Sequence, residues 1–498
     1  MIFADFEFNP RSAIMSSPLG ELKPAHLWKY FEAILKIPHC SGNEKGLAEY
    51  ILSVAGGLGL EAKRDKVGNV IVRKKASPGR ENVAGIILQS HMDMVGEKNS
   101  DIVHDFAKDP IKASVKGEWV QAEGTTLGAD NGIGIAASLA VMEEKSLVHG
   151  PLEFLFTVDE ETGLTGANKL EKGVLRGKYL LNLDSEEEGT FTIGCAGGAD
   201  SVITLSLKRK VSLAKNAYLL KISGLRGGHS GLDIHQGRGN AIKLLARMLR
   251  QARIEHRFEL VEIEGGNKRN AIPREAWAVI GVDPVGVKPL AAFFKKAFEE
   301  IRVEYQSVET GLKYVFEKTG SAHQAPINAD GQKALLDLLI ALPHGVVAMH
   351  PEIPGLTETS TNLAIVRCEK KQAQIVCSTR SSIASALEAT RNVLEAVCDL
   401  SGAKIQLQEG YPGWMPNLQS ALLAKLQGIY KAAMGNDARV VAVHAGLECG
   451  IIGEKYPGMD MISFGPTLEH PHSPDERVHV GSVEKFWKFM ASVLSGLA

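Results

Sequence analysis

Five short segments of this chain concentrate imidazoles and carboxylates: Ser90-His91-Met92-Asp93, Gly128-Ala129-Asp130-Asn131-Gly132, Asp159-Glu160-Glu161, Asp184-Ser185-Glu186 and Glu469-His470-Pro471-His472. Mixed His and carboxylate sets suit zinc or manganese, whereas an all-oxygen set would suit calcium or magnesium. Five ligands with one shared carboxylate would hold two ions about 3.5 to 4 Å apart, a spacing that activates water and polarises a carbonyl. Such a site would leave one of the two adjacent glutamates free for proton transfer. Each segment alone reads as solvated charge in a loop. Their number, and their places relative to the strands, make a metal centre the better reading.

The elements that must position them follow from the apolar patterning. Val83 to Gln89, Leu152 to Val158, Tyr179 to Leu183 and Met459 to Phe464 are short apolar runs of the kind that form buried strands. Helical patterns at Leu27 to Leu35, Lys45 to Ala55 and Ile133 to Glu144 alternate with the early runs, which predicts βαβ units and a parallel sheet. Each strand leads into an acidic or His-bearing segment, the last through Gly465 and Pro466. In open parallel sheets ligands bind beyond the carboxyl ends of the strands. One rim is therefore predicted to collect the whole set.

Around Gly194 to Ala199 the pattern changes. Alternating strands at Ser201 to Leu207, Tyr218 to Ser223 and Arg257 to Ile263, with amphipathic helices at Asn240 to Gln251 and Pro289 to Arg302, predict an α+β insert. A similar set recurs at Asn362 to Thr379 and Ser382 to Leu400, so two related halves are expected. From about Tyr411 the buried-strand style returns, with a strand at Arg439 to Val443 and a closing helix at Val483 to Leu497. The predicted fold is thus an α/β domain, residues 1–197 and 411–498, whose mixed, mainly parallel sheet is flanked by helices. An α+β lid at 198–410 interrupts it, with glycine-containing hinges near 196–200 and 408–413.

Composition sets the outer limits. The 498 residues are 44% hydrophobic and 23% charged, the make-up of a globular chain with at least two domains. A formal charge of −2 gives no global basic field, which disfavours nucleic acid and membrane surfaces as partners. The longest mostly apolar run, Gly132 to Met142, falls well short of the roughly 18 residues that span a bilayer. Met1 to Pro18 mixes Asp5, Glu7 and Arg11 into its apolar residues, unlike a secretory signal. The six cysteines are scattered singly without a CxxC pair, as reduced thiols would be. A cytoplasmic protein is the expectation. The 51 glycines exceed the average of about 7%, which marks backbone under geometric demand.

HMDMV, GADNG, DEETG, the Asp after YLLNL, and HPHSPDE resemble the metal-site motifs of the M20 metallopeptidase family, and within it those of the aminoacyl-histidine dipeptidases. The resemblance runs from about Pro24 to the end of the chain. It implies a di-zinc exopeptidase catalytic domain with a lid, and hydrolysis of the peptide bond of dipeptides, Xaa-His among them. On matching positions it implies that His91 and Asp184 bind one ion, Glu161 and His472 the other, with Asp130 bridging. His472 is preferred to His470 because the HSPDE stretch beginning there is similar to the family's final ligand segment. Asp93 would accept the other imidazole N–H of His91 and fix its tautomer, and Glu160 would be the general base on the metal-bridging water. If the backbone there is extended, the Glu160 and Glu161 side chains point apart, one to a metal and one to the water. A cis peptide after Asp130 is implied as well.

In the glycine-rich turn GGHSG, His229 resembles the residue that stabilises the oxyanion. Asn270 in NKRNAIP resembles a substrate-contacting residue, and Arg380 in STRSS the arginine that grips the substrate carboxylate. Glu448, in HAGLE, would bind a free α-amino group or else form a buried structural pair. The resemblance also implies two divalent ions, zinc with cobalt or manganese as alternatives, and a homodimer formed through the lid. An aminoacylase or carboxypeptidase on the same scaffold is the rival enzymatic reading, since the metal site acts on the amide and not on its flanks. A non-catalytic metal-binding protein is the third; Glu160 beside a complete ligand set argues against it.

Overall fold

The computed structural model describes residues 19–498 except 213, 215 and 321–323, so Met1 to Pro18 lies outside the described residues. Four of the predicted strands, Leu152–Thr157, Ile86–His91, Tyr179–Asn182 and Asp460–Ser463, are consecutive neighbours in an eight-stranded mixed sheet and run parallel to one another. Ile86 pairs with both Leu152 and Tyr179, and Tyr179 with Asp460, so the four strands start together. Every residue of the first three is buried. That is why they read as continuous apolar runs: a parallel sheet covered on both faces has no wet side to select polar residues at every second position.

Antiparallel strands flank this core. Val70–Lys74 pairs with Leu152–Thr157 and carries the hairpin partner Glu61–Arg64, while Thr190–Cys195 lies against Asp460–Ser463. None of the three was read from the sequence. Glu61–Arg64 is almost wholly exposed and gives no apolar signal. The helices Ala25–Leu35 and Ala129–Glu143 pack on each other, and the second is buried nearly all round. Trp28, Phe31, Phe154 and Phe156 are fully buried in this core. A separate four-stranded antiparallel sheet, in the order Leu468–Glu469, Arg477–His479, Trp119–Ala122 and Ala113–Lys116, escaped the sequence reading altogether. It pins the loop 470–476 beside the strand that leads toward Gly128, with the Arg477 guanidinium 4.3 Å from the centre of the Trp119 ring.

The chain divides into two compact units. The first holds the residues up to Ile193 together with Asn417–Val441 and Ile452–Ala498; the second holds Gly194–Pro416 and Ala442–Ile451. The apolar patterning alone assigns 442–451 to the α/β part. They group with the second unit because the Ala196 N–H donates to the carbonyls of both Val443 and Ala445, at 3.1 and 2.9 Å.

The second unit is α+β, as predicted. Its nine-stranded antiparallel sheet runs Lys313–Lys318, Asn216–Ser223, Ala276–Val282, Glu259–Gly265, Thr357–Cys368, Gln372–Ser381, Gly197–Ser206 and Lys404–Leu407, with Gly345–Met349 added against Thr357–Cys368. The two strand-and-helix sets read as related halves both belong to this one sheet. The segment 196–200, read as a hinge, lies almost wholly within the strand Gly197–Ser206. Gly198 exchanges backbone hydrogen bonds with Tyr411 at 3.0 and 2.9 Å, and a Cβ on Gly197 would stand 2.4 Å from the Gly413 nitrogen. These glycines allow a close approach of backbones.

Candidate metal centre

All seven residues expected at the centre lie in the first unit, and the sheet explains how they meet. His91 is the last residue of its strand, Asp184 follows Tyr179–Asn182 by two residues, and Leu152–Thr157 leads through Val158 and Asp159 to the helical turn Glu160–Gly163. His472 comes from the loop of the hairpin formed by Leu468–Glu469 and Arg477–His479. Asp130, non-helical at φ −84° and ψ 105°, stands near the start of the helix Ala129–Glu143 behind Gly128, whose φ of +72° suits glycine and where a Cβ would stand 2.8 Å from Met94 Sδ. The Asp130–Asn131 peptide bond is cis, and the Asn131 side chain donates to the Leu183 carbonyl at 2.9 Å and to Asp184.

His91 Nε2 stands 3.1 Å from both Asp130 Oδ1 and Asp184 Oδ1. His472 Nε2 stands 3.2 Å from Asp130 Oδ2 and 2.9 Å from Glu161 Oε1. The two oxygens of Asp130 therefore face two different triads, His91/Asp130/Asp184 and Asp130/Glu161/His472, each with its ligand atoms within 4.8 Å of one another. A third such group, His91, Glu160 and Glu161, places Glu160 beside the first two. His470, at φ +56° and exposed, joins none of them.

Two local expectations need correction. The backbone at Glu160 and Glu161 is helical, not extended, with Asp159 at φ +54°. Asp93 causes this: its carboxylate accepts the N–H groups of Glu160 at 2.9 Å and Glu161 at 3.1 Å, as well as the Ser41 hydroxyl at 2.8 Å. The two glutamates thus diverge by about 100° around a helical turn instead of pointing to opposite sides. Secondly, the nearer partner of His91 Nδ1 is the backbone oxygen of Asp93 at 3.0 Å, with the carboxylate at 3.5 Å. The carbonyl fixes the ring so that Nε2 faces the acids.

The electrostatics fit a cation. Burial opposes the charged form of His91, yet Asp184 and hydrogen bonding with Asp130, Asp184 and Asp93 raise its pKa well above the ordinary range. The Asp130 and Glu161 carboxylates push His472 up to about 11. Burial, and the charges of Asp130 and Glu161, push Asp184 up to about 6 against the pull of His91. Glu186 rises to about 8 through burial and the charges of Asp130 and Asp184. Burial and the crowding of acids raise the proton affinity of these groups, and a divalent ion would compete with those protons. Glu161 Oε1 makes the same point sterically: it is buried and, although 2.9 Å from His472 Nε2, forms no hydrogen bond to any described residue. Lone pairs converging on one point are what a metal ion requires.

The remaining predicted residues belong to the second unit. His229 sits in a turn whose backbone defines its tautomer, since Nδ1 accepts the N–H groups of Gly231 at 3.2 Å and Leu232 at 3.0 Å. The proton is left on Nε2. Burial and the Arg380 charge hold this imidazole down to about 4, so it is a neutral donor. Asn270 is exposed, and its carbonyl accepts the Ser230 N–H at 2.8 Å, which ties it to the His229 turn. Arg380 is nine-tenths buried on Gln372–Ser381; Nη1 donates to Tyr411 Oη at 2.8 Å, and Nε has no partner among the described residues. Glu448 opens the helix Glu448–Lys455 with its side chain fully buried, which favours the structural placement over amine binding.

Sequence reasoning missed Glu476, four residues after His472, and Glu44, whose buried carboxylate accepts the Asp159 N–H at 3.0 Å and so steadies the turn before Glu160. Only the acid in HSPDE hinted at the first, and nothing local at the second.

Residues 87–496 match the family described as Peptidase family M20/M25/M40. The cytosol non-specific dipeptidase of Escherichia coli (strain K12) is 42% identical over 479 residues, spanning 96% of this chain and 99% of that protein. The crystal structure of aminoacylhistidine dipeptidase from Vibrio alginolyticus superposes with a TM-score of 0.89 at 43% identity, covering 96% of this chain and 98% of that one. Aminopeptidase PepT from Bacillus cereus, at 16% identity and a TM-score of 0.56 over 96% of this chain and 99% of its own, shares the fold.

Proposed function

Because the chain belongs to peptidase family M20/M25/M40, we propose that it is a two-metal dipeptidase of the cytoplasm, with Xaa-His dipeptides among its substrates. The observation that carries this reading is the Asp130 carboxylate, one oxygen turned to His91 and the other to His472, with Glu160 alongside. The names of the relatives from Escherichia coli and Vibrio alginolyticus support the substrate class, and the first supports the compartment. No helix among the described residues is long and apolar enough to cross a membrane.

His91, Asp184 and Asp130 would hold one ion, and Asp130, Glu161 and His472 the other; zinc is the metal that this donor set suits. Two bound ions supply Lewis acidity to the scissile carbonyl and lower the pKa of water. Glu160 takes a proton from the attacking water as the new C–O bond forms, and returns it to the amine as the C–N bond breaks. Asp93 holds Glu160 and Glu161 in place through their N–H groups. His229 donates its Nε2–H to the developing oxyanion, and Arg380 receives the substrate carboxylate on a planar guanidinium. Asn270 adds a polar contact to the substrate.

A panel of free dipeptides, tripeptides and N-acetyl amino acids, assayed with added zinc, tests the reading. Turnover is expected on the dipeptides; preference for the acetylated set would make the enzyme an aminoacylase. His229→Ala is expected to lower kcat by about 10² to 10³, the range for loss of one oxyanion donor. Because burial and Arg380 keep this histidine neutral above its pKa of about 4, the variant's pH profile should keep the wild-type shape from about pH 5 upward. A lost acid limb in that window, measured by steady-state kinetics, would show that His229 titrates during turnover.

A further inference from the structure

The backbone at the start of the helix Ala129–Glu143 is not yet helical, with Asp130 at φ −84°, ψ 105° and Asn131 at φ −108°, ψ 27°, and Gly128 has no side chain to satisfy the N–H groups there. A carboxylate 346 to 349 residues further along the chain does so. Glu476 Oε2 accepts the N–H groups of Leu127 at 2.7 Å and Gly128 at 3.0 Å, and Oε1 accepts those of Ala129 at 2.8 Å and Asp130 at 3.3 Å. Its side chain is buried, 2% exposed. Four consecutive N–H groups turned onto one carboxylate form a concave backbone nest. The last of them is Asp130, whose two oxygens serve both triads.

The hairpin explains how Glu476 arrives there. Leu468–Glu469 and Arg477–His479 pair with each other, and Arg477–His479 pairs in turn with Trp119–Ala122, the strand that precedes the nest. The loop between them carries both His472 and Glu476. A single loop thus delivers one ligand directly and holds the shared ligand through its backbone.

We propose that Glu476 is a positioning residue for the metal centre: its carboxylate sets the orientation of Asp130, and through Asp130 the affinity for both ions. This rests on the two-ion reading above. Glu476→Gln preserves size and burial but exchanges one acceptor oxygen for an NH₂ that opposes two of the four donors. Glu476→Asp keeps both oxygens on a shorter stem, as a variant for the case in which Glu476→Gln does not fold.

The test is zinc binding to the full chain, measured by competition with a chromophoric chelator, alongside thermal unfolding of the zinc-stripped protein and dipeptide kinetics. Wild type taking up fewer than two ions would sink the two-ion reading and, with it, this proposal. Given two ions in wild type, Glu476→Gln is expected to weaken both by about 10- to 100-fold, the range for groups that orient metal ligands, and Glu476→Asp to weaken both by less. kcat should fall at unchanged KM under sub-saturating zinc. His472→Ala, by contrast, should cost only one ion. Folded variants with wild-type zinc affinity for both sites, or with unfolding temperature lowered and affinity unchanged, would reduce Glu476 to a helix cap and overturn the proposal.

Discussion

Glu160→Gln is expected to lower kcat on a dipeptide by about 10³-fold, within the range of 10² to 10⁴ typical for loss of a general acid–base, with KM little changed. The ligand set stays intact in this variant. Glu160 is held where it is through its backbone, by the Asp93 carboxylate, so replacing one side-chain oxygen by NH₂ leaves its N–H bond at 2.9 Å undisturbed. Zinc content by elemental analysis should match wild type. Wild-type turnover in the variant would remove Glu160 as the base. Loss of zinc would instead make it a ligand, a role that its grouping with His91 and Glu161 makes worth measuring.

The second large effect is expected at Asp130. In Asp130→Asn one oxygen is replaced by a donor, so a group that faces His91 through one oxygen and His472 through the other can serve at most one of the triads. The partners left behind, Asp184 and Glu161, are themselves crowded acids, and burial already pushes Asp184 up to about 6. Zinc content is expected to fall to at most one ion per chain and turnover to fall below detection, and His472→Ala should likewise keep one ion. Elemental analysis after desalting reads both variants. Asp130→Asn with two retained ions would show that the carboxylate is not shared.

The central sheet was legible because its signal is local. Ile86–His91, Leu152–Thr157, Tyr179–Asn182 and Asp460–Ser463 are buried or nearly so along their whole length, so each stands out as an apolar run against its neighbours. A parallel arrangement then puts His91, Glu160 and Asp184 on one rim without further information. The exposed hairpin strand Glu61–Arg64 and the two-residue strand Leu468–Glu469 carry no such contrast. Residues 442–451 misled for a related reason: they hold the end of the strand Arg439–Val443, which continues the eight-stranded sheet, then a loop and the start of the helix Glu448–Lys455, and the Ala196 N–H bonds to Val443 and Ala445 leave no local signal.

By itself, then, the sequence determined which chemistry the chain can perform and on which rim: residue types at strand ends, a Gly-bracketed acid, and paired glutamates. These are properties of neighbouring residues and their spacing. The tertiary structure decided how those residues are used. It turned Glu160 and Glu161 into a helical turn under Asp93, gave the His91 ring to a backbone carbonyl, divided the Asp130 oxygens between two histidines, and brought Glu476 back to the amides of 127–130. Each of these rests on a hydrogen bond or close approach that chain folding creates, most of them between segments far apart in sequence. No periodicity or local propensity encodes such a partner, so only the folded chain could supply it.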